Sequence, residues 1–136
     1  MSLTFAASYE ANVESIATIR NEMGTLARRC GLDAAGIADV RLAVSEAATN
    51  VLLHAYRNKP GKIGIEADVS GEELTIDVSD RGAGMRPRTD SPGLGLGLSV
   101  IATVTSRLEV LQQDVGTRLR MVFSGCRKSA ASGAPS

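Results

Sequence analysis

The chain has 136 residues, 43% apolar and 22% charged, with fifteen basic side chains balanced by fifteen acidic ones. That length supports one domain with a core of its own, and neutrality excludes a strong global field toward nucleic acid or an anionic membrane. Phe5, Tyr9, Tyr56 and Phe123 are too few aromatics for a base-stacking surface on single strands. With no signal peptide and no apolar run of membrane length, a reducing cytoplasm is the expected compartment. Cys30 and Cys126 lie too far apart in sequence to suggest a metal knuckle.

Residues 3–9, LTFAASY, predict a first strand. Asn12 is the expected N-cap of a first helix in which Val13, Ile16, Met23 and Leu26 recur at helical spacing, and Cys30-Gly31 supplies the stop. Asp33 caps a second, longer helix to about Tyr56, with Ile37, Val40, Val44 and Val51 as its apolar stripe. After a turn at Asn58-Lys59-Pro60-Gly61, segments 62–69 and 73–80 alternate apolar and polar residues, and Ser70-Gly71-Glu72 joins them as a hairpin. The stretch Met85 to Pro92, with its two prolines and two arginines, predicts a loop. A third helix is expected from near Leu96 to near Ser106, with Leu98, Val100, Ile101 and Val104 mostly inward. Segments 107–114 and 117–125 form a closing hairpin through Val115-Gly116, and the chain ends in small polar residues that predict a disordered tail. Hairpin strands beside helices argue for an α+β sandwich.

Three groups of residues carry candidate chemistry. Glu46, Asn50 and His54 are spaced by four in the second helix, which stacks them on one face away from the apolar stripe. Carboxylate and amide oxygens there suit magnesium, a hard cation often shared with substrate phosphates, though the spacing also suits the polar face of any amphipathic helix. Asp80, at a strand end and followed by Gly82 and Gly84, can accept a hydrogen bond from an exocyclic amine while the glycines leave room for a flat base. Asp-Arg-Gly equally fits an ordinary turn. Gly93, Gly95 and Gly97 lead into the third helix, whose free N–H groups suit phosphate. Leu98 stands where the dinucleotide fingerprint needs glycine, and no P-loop Lys-Ser/Thr follows, so phosphate here would be held by backbone and magnesium.

Taken in order, Glu46-x-x-x-Asn50, Asp80-x-Gly82-x-Gly84 and Gly93-x-Gly95-x-Gly97-Leu98 resemble the N box and two glycine boxes of the GHKL superfamily of ATP-binding domains. RLAVSEAATNVLLHAY, DVSDRGAGM and GLGLGLSVI are most similar to its group of anti-sigma factor serine/threonine-protein kinases, bacterial regulators of sporulation and general stress. Gly116-Thr117 looks like the group's third glycine motif, and the likeness extends to about residue 124.

The resemblance implies a Bergerat-type, histidine-kinase-like ATPase fold. This is an α+β two-layer sandwich whose mixed, mostly antiparallel sheet of about five strands carries three helices on one face. The domain would span residues 1–125, with 126–136 as the tail. By position, Asn50 would ligate Mg2+ bridging the phosphates of ATP, and Glu46 would be the general base toward a serine hydroxyl of a protein substrate. Asp80 would bind the adenine amine, and Gly82 and Gly84 would shape its pocket. Gly93, Gly95, Gly97 and Leu98 would face the phosphates, and Thr117 would sit near the adenine. His54 is either catalytic or a helix-end histidine that packs locally. Arg86 and Arg88 are either phosphate or partner contacts or solvated loop side chains.

The function implied is an ATP-dependent serine/threonine-protein kinase that is also an anti-sigma factor. It would phosphorylate a STAS-type anti-anti-sigma partner, sequester a sigma factor and form a homodimer, without direct contact to nucleic acid or membrane. One alternative is a nucleotide-gated protein-binding module without kinase activity. Another, a histidine kinase catalytic domain detached from its dimerisation domain, fits the fold but offers no upstream helix with an acceptor histidine. The loop between the glycine boxes, about eight residues, is too short for an extended lid, so a partner protein would complete it.

Overall fold

In the computed structural model, which describes residues 3–57, 59–82 and 97–126, the elements follow the expected order. Strand β1 (Leu3–Glu10) leads into helices α1 (Val13–Arg29) and α2 (Ala34–Asn50), then β2 (Lys62–Ser70), β3 (Glu73–Ser79), α3 (Leu98–Val104), β4 (Arg107–Gln112) and β5 (Thr117–Ser124). Both predicted caps form: Ser15 N donates to Asn12 Oδ1 and Gly36 N to Asp33 Oδ1, each at 2.8 Å. Each supplies a partner for an amide that the first helical turn leaves unbonded.

The five strands lie in the order β1-β2-β3-β5-β4. All four pairings are antiparallel, so the sheet is more uniform than the mixed one the resemblance implied. Register follows alternation: Ile65 opposes Val78, Ala67 opposes Ile76, and Ile76 opposes Met121, which puts one apolar row on one face. That face packs against Val40, Val44, Ala47, Val51, Ile19, Met23 and Ile101 from the helices, forming a single core. A fully buried Ile, Leu or Met contributes about 1.5–3 kcal/mol, so this layer contact holds the fold.

The opposite face is polar and contains a buried carboxylate. Asp77, 6% exposed, accepts from Arg118 Nη1 at 3.0 Å and from Arg120 Nη2 at 2.9 Å. The hydrogen bond and charge of Asp77 raise the pKa of Arg120.

Three expectations shift at element ends. Val13 and Val100, assigned to inward stripes, are 67% and 40% exposed: Val13 is the first residue of its helix, and in α3 it is Leu98 and Ile101 that face the core, which turns Val100 outward. Helix α3 stops at Val104 rather than near Ser106, since Thr105 is extended and its hydroxyl donates back to Ile101 O at 3.0 Å. The second helix is α-helical only to Asn50. Val51–Ala55 form a wider π turn, closed by Tyr56 N donating to Val51 O at 3.0 Å, and Arg57 ends it with φ of 52°.

Cys30, at the end of α1, and Cys126, just past β5, are both buried thiols with their sulfurs 2.7 Å apart. Cys126 is one residue into the stretch expected to be a tail, and residues 127–136 lie outside the described residues. Burial, with a further contribution from Cys30, pushes the Cys126 thiol up to about 12. Among the described residues no helix is long and apolar enough to cross a membrane.

Candidate nucleotide site

The site is built along the C-terminal half of α2 and the π turn that follows it. Glu46 is half-buried and Asn50 is 4% exposed, while His54 is exposed. The three therefore do not form one polar stripe, as four-residue spacing predicts. The wider π turn breaks the α-helical register after Asn50 and leaves His54 in solvent. Asn50 is turned inward, which the polar face of an ordinary amphipathic helix does not explain.

Both glycine motifs abut this helix where the residues are described. At Gly97, the N-cap of α3 with φ of 63°, an added Cβ would lie 2.8 Å from Glu46 Oε2. At Gly82 it would lie 2.6 Å from Ala55 O and 2.8 Å from the Tyr56 ring. Glycine is thus required on both flanks of Asn50 for different reasons, the backbone of the π turn leaving no room at Gly82 and the left-handed φ favouring glycine at Gly97, where the Glu46 carboxylate could move aside. Gly84, Gly93, Gly95, Arg86 and Arg88 lie outside the described residues.

Asp80 follows the last residue of β3 and is 1% exposed. Its Oδ1 accepts from Gly82 N at 3.0 Å, and its own N donates to Thr117 O at 3.0 Å. Thr117 is fully buried at the start of β5. Gly116, with φ of 83°, presses on the Asp80-Arg81 backbone so closely that a Cβ there would fall on Asp80 O. Leu98 is half-buried and packs its side chain on the core. A carboxylate, a hydroxyl and a carboxamide are thus all buried close to the C-terminal end of β3 and of α2, a donor set that fits a purine amine and a metal-bridged phosphate.

Tyr56 is the functional residue that spacing did not single out. Its hydroxyl donates to Lys62 O at 2.7 Å and accepts from Arg81 N at 3.0 Å, joining the end of the π turn to β2 and to the Asp80 turn. The available signal was its company, since Gly61 and Gly82 both border its ring and neither leaves room for a Cβ.

This fold and this arrangement are those of a histidine kinase-like ATPase domain, and residues 9–123 match that family. The anti-sigma F factor of Thermoanaerobacter sp. (strain X514) is 41% identical over 97 residues, which take in 62% of this chain and 68% of the relative. The anti-sigma F factor of Clostridium kluyveri (strain NBRC 12016) matches with the same identity and coverage, and that of Clostridium botulinum (strain Eklund 17B / Type B) is 40% identical over 98 residues, with the same shares. Among solved structures, the RsbU and RsbW domains from Mycobacterium tuberculosis superpose with a TM-score of 0.72 at 22% identity, covering 92% of this chain and 33% of that longer one, a likeness of fold. The chain belongs to the histidine kinase-like ATPase domain family, in its anti-sigma factor group.

Proposed function

We propose that this protein is an ATP-dependent serine/threonine kinase and anti-sigma factor that phosphorylates a STAS-type anti-anti-sigma partner and sequesters a sigma factor. The observation that carries the reading is the convergence on one side of α2. Gly97 lies against Glu46, Gly82 lies against Ala55 and Tyr56, and buried Asn50 stands between them in the chain. Motifs far apart in sequence have no reason to meet there as solvent loops.

Each side chain has a role that its chemistry suits. Asp80 accepts a hydrogen bond from the exocyclic amine of adenine, with Thr117 beside it. Asn50 offers its carboxamide oxygen to Mg2+. A magnesium ion held by this oxygen would share its remaining positions with phosphate oxygens and water. When bound, ATP would supply the phosphoryl group and its magnesium would neutralise charge. Glu46 takes the proton from the serine hydroxyl of the partner, and Gly97 leaves room for that carboxylate at the base of α3. By their place in the motifs alone, Gly84 would belong with the adenine pocket and Gly93 and Gly95 with the phosphates. The working form is a cytoplasmic homodimer whose kinase domain takes in the buried Cys126.

The test is phosphotransfer from γ-labelled ATP to a STAS-domain partner, with the native chain beside Glu46→Gln and Asn50→Ala. Label on a partner serine, stable to acid and labile to base, that disappears in both variants is the expected result. ATP binding with no label on any STAS partner would favour a nucleotide-gated module instead, and acid-labile label would indicate phosphohistidine.

A further inference from the structure

We infer that Tyr56 is the positioning residue of the nucleotide site: it clamps the Asp80-Arg81-Gly82 turn and so sets where the Asp80 carboxylate points. The inference rests on the reading of that turn as the adenine-binding element. Beyond β3 the chain leaves the sheet, and Arg81 is exposed, so the ladder no longer fixes the backbone that carries Asp80. Two supports replace it. On one side the β4–β5 hairpin holds Asp80, through Thr117 O and the close approach of Gly116. On the other stands Tyr56.

A phenol hydroxyl is both donor and acceptor, and Tyr56 uses both capacities at once, donating to Lys62 O at 2.7 Å and accepting from Arg81 N at 3.0 Å. It therefore ties the first residue of β2 to the turn that β3 releases. The ring fills the room that glycine leaves at Gly61 and Gly82, so the turn can slide neither toward β2 nor toward the π turn. Gly82 in turn donates to Asp80 Oδ1 at 3.0 Å, which links the clamped residue to the carboxylate itself. The π turn delivers Tyr56 to this position, since the bond that closes it comes from Tyr56 N.

Tyr56→Phe removes the hydroxyl and keeps the ring. The experiment compares it with the native chain and with Tyr9→Phe, a hydroxyl removed from the Tyr9–Glu22 pair between β1 and α1. Three readouts are taken: equilibrium binding of ATP and of GTP, hydrogen exchange at the Arg81 amide without nucleotide, and the melting midpoint. Tyr56→Phe loses both hydrogen bonds of the clamp, and the share of that loss passed on to Asp80 weakens ATP binding about three- to tenfold. The expected result is that loss in Tyr56→Phe together with a reduced preference for adenine over guanine and faster Arg81 exchange, while Tyr9→Phe matches the native chain in all three. Equal weakening toward ATP and GTP, tracking a lowered melting midpoint, would make Tyr56 merely structural and overturn the inference. Unchanged ATP binding would overturn it alone. A native chain that binds no adenine nucleotide would overturn both this inference and the kinase reading.

Discussion

Two buried aspartates stand three residues apart at the end of β3, and the chain satisfies them in opposite ways. Asp77, on the outer face, meets two arginine side chains, its two oxygens accepting four hydrogen bonds from Arg118 and Arg120, while Arg118 also donates to Glu66 nearby. Asp80, past the strand and on the helix-side parity, has backbone around it among the described residues: Gly82 N, the Thr117 carbonyl and the close approach of Gly116. A carboxylate neutralised by guanidinium side chains is committed to the fold. In the proposed reading, the one bordered by a turn amide and by Thr117 is the one that meets the nucleotide.

That contrast can be broken or sharpened by substitution. The largest effect is expected on the Asp80 side of the molecule. Glu46→Gln should slow phosphotransfer about 100- to 10,000-fold, the range for loss of a general base, with ATP affinity held, as a rate assay beside a binding titration would show. Asp80→Asn keeps shape and the acceptor for Gly82 N but offers an amine in place of an oxygen, and should weaken ATP binding about 10- to 100-fold by calorimetry. On the outer face Asp77→Ala should leave ATP binding intact and cost about 1–3 kcal/mol in denaturant unfolding, because Arg118 and Arg120 are only partly exposed and lose their main partner.

The effect that vanishes at neutral pH is one of alkaline titration and lies away from both aspartates. The folded Cys126 thiol ionises near 12 whereas the unfolded one does so near 9.0, so the unfolded chain binds fewer protons between those values. Stability is therefore fully present below about pH 9 and falls as pH rises toward 12, by up to about 1.4 kcal/mol per pH unit from this thiol. Cys126→Ala should flatten that part of the unfolding profile.

Much of this was legible in the sequence. Alternation in 62–69 and 73–80 gave the central hairpin, because one face of each strand is core and the other solvent, and Asn12 and Asp33 fixed the helix starts through their caps. The Asp77 cage was not read: it depends on Arg118 and Arg120 facing Asp77 from the neighbouring strand, and pairing across 41 and 43 residues has no local signature. The π turn was missed because Val51, Leu52 and Leu53 continue the apolar pattern of α2 without a glycine or proline to mark the change. Its consequence is that His54, grouped with Glu46 and Asn50 by spacing, stands in solvent, while Tyr56 takes the place beside the site.

The most direct test is an ATP–magnesium titration of the native chain, Asp80→Asn and Asp77→Asn side by side, with folding of each checked by melting. Binding by the native chain and Asp77→Asn, with a loss confined to Asp80→Asn, is the predicted result. Equal loss in both variants, or equal retention, would contradict the assignment of Asp80 to recognition and Asp77 to the fold.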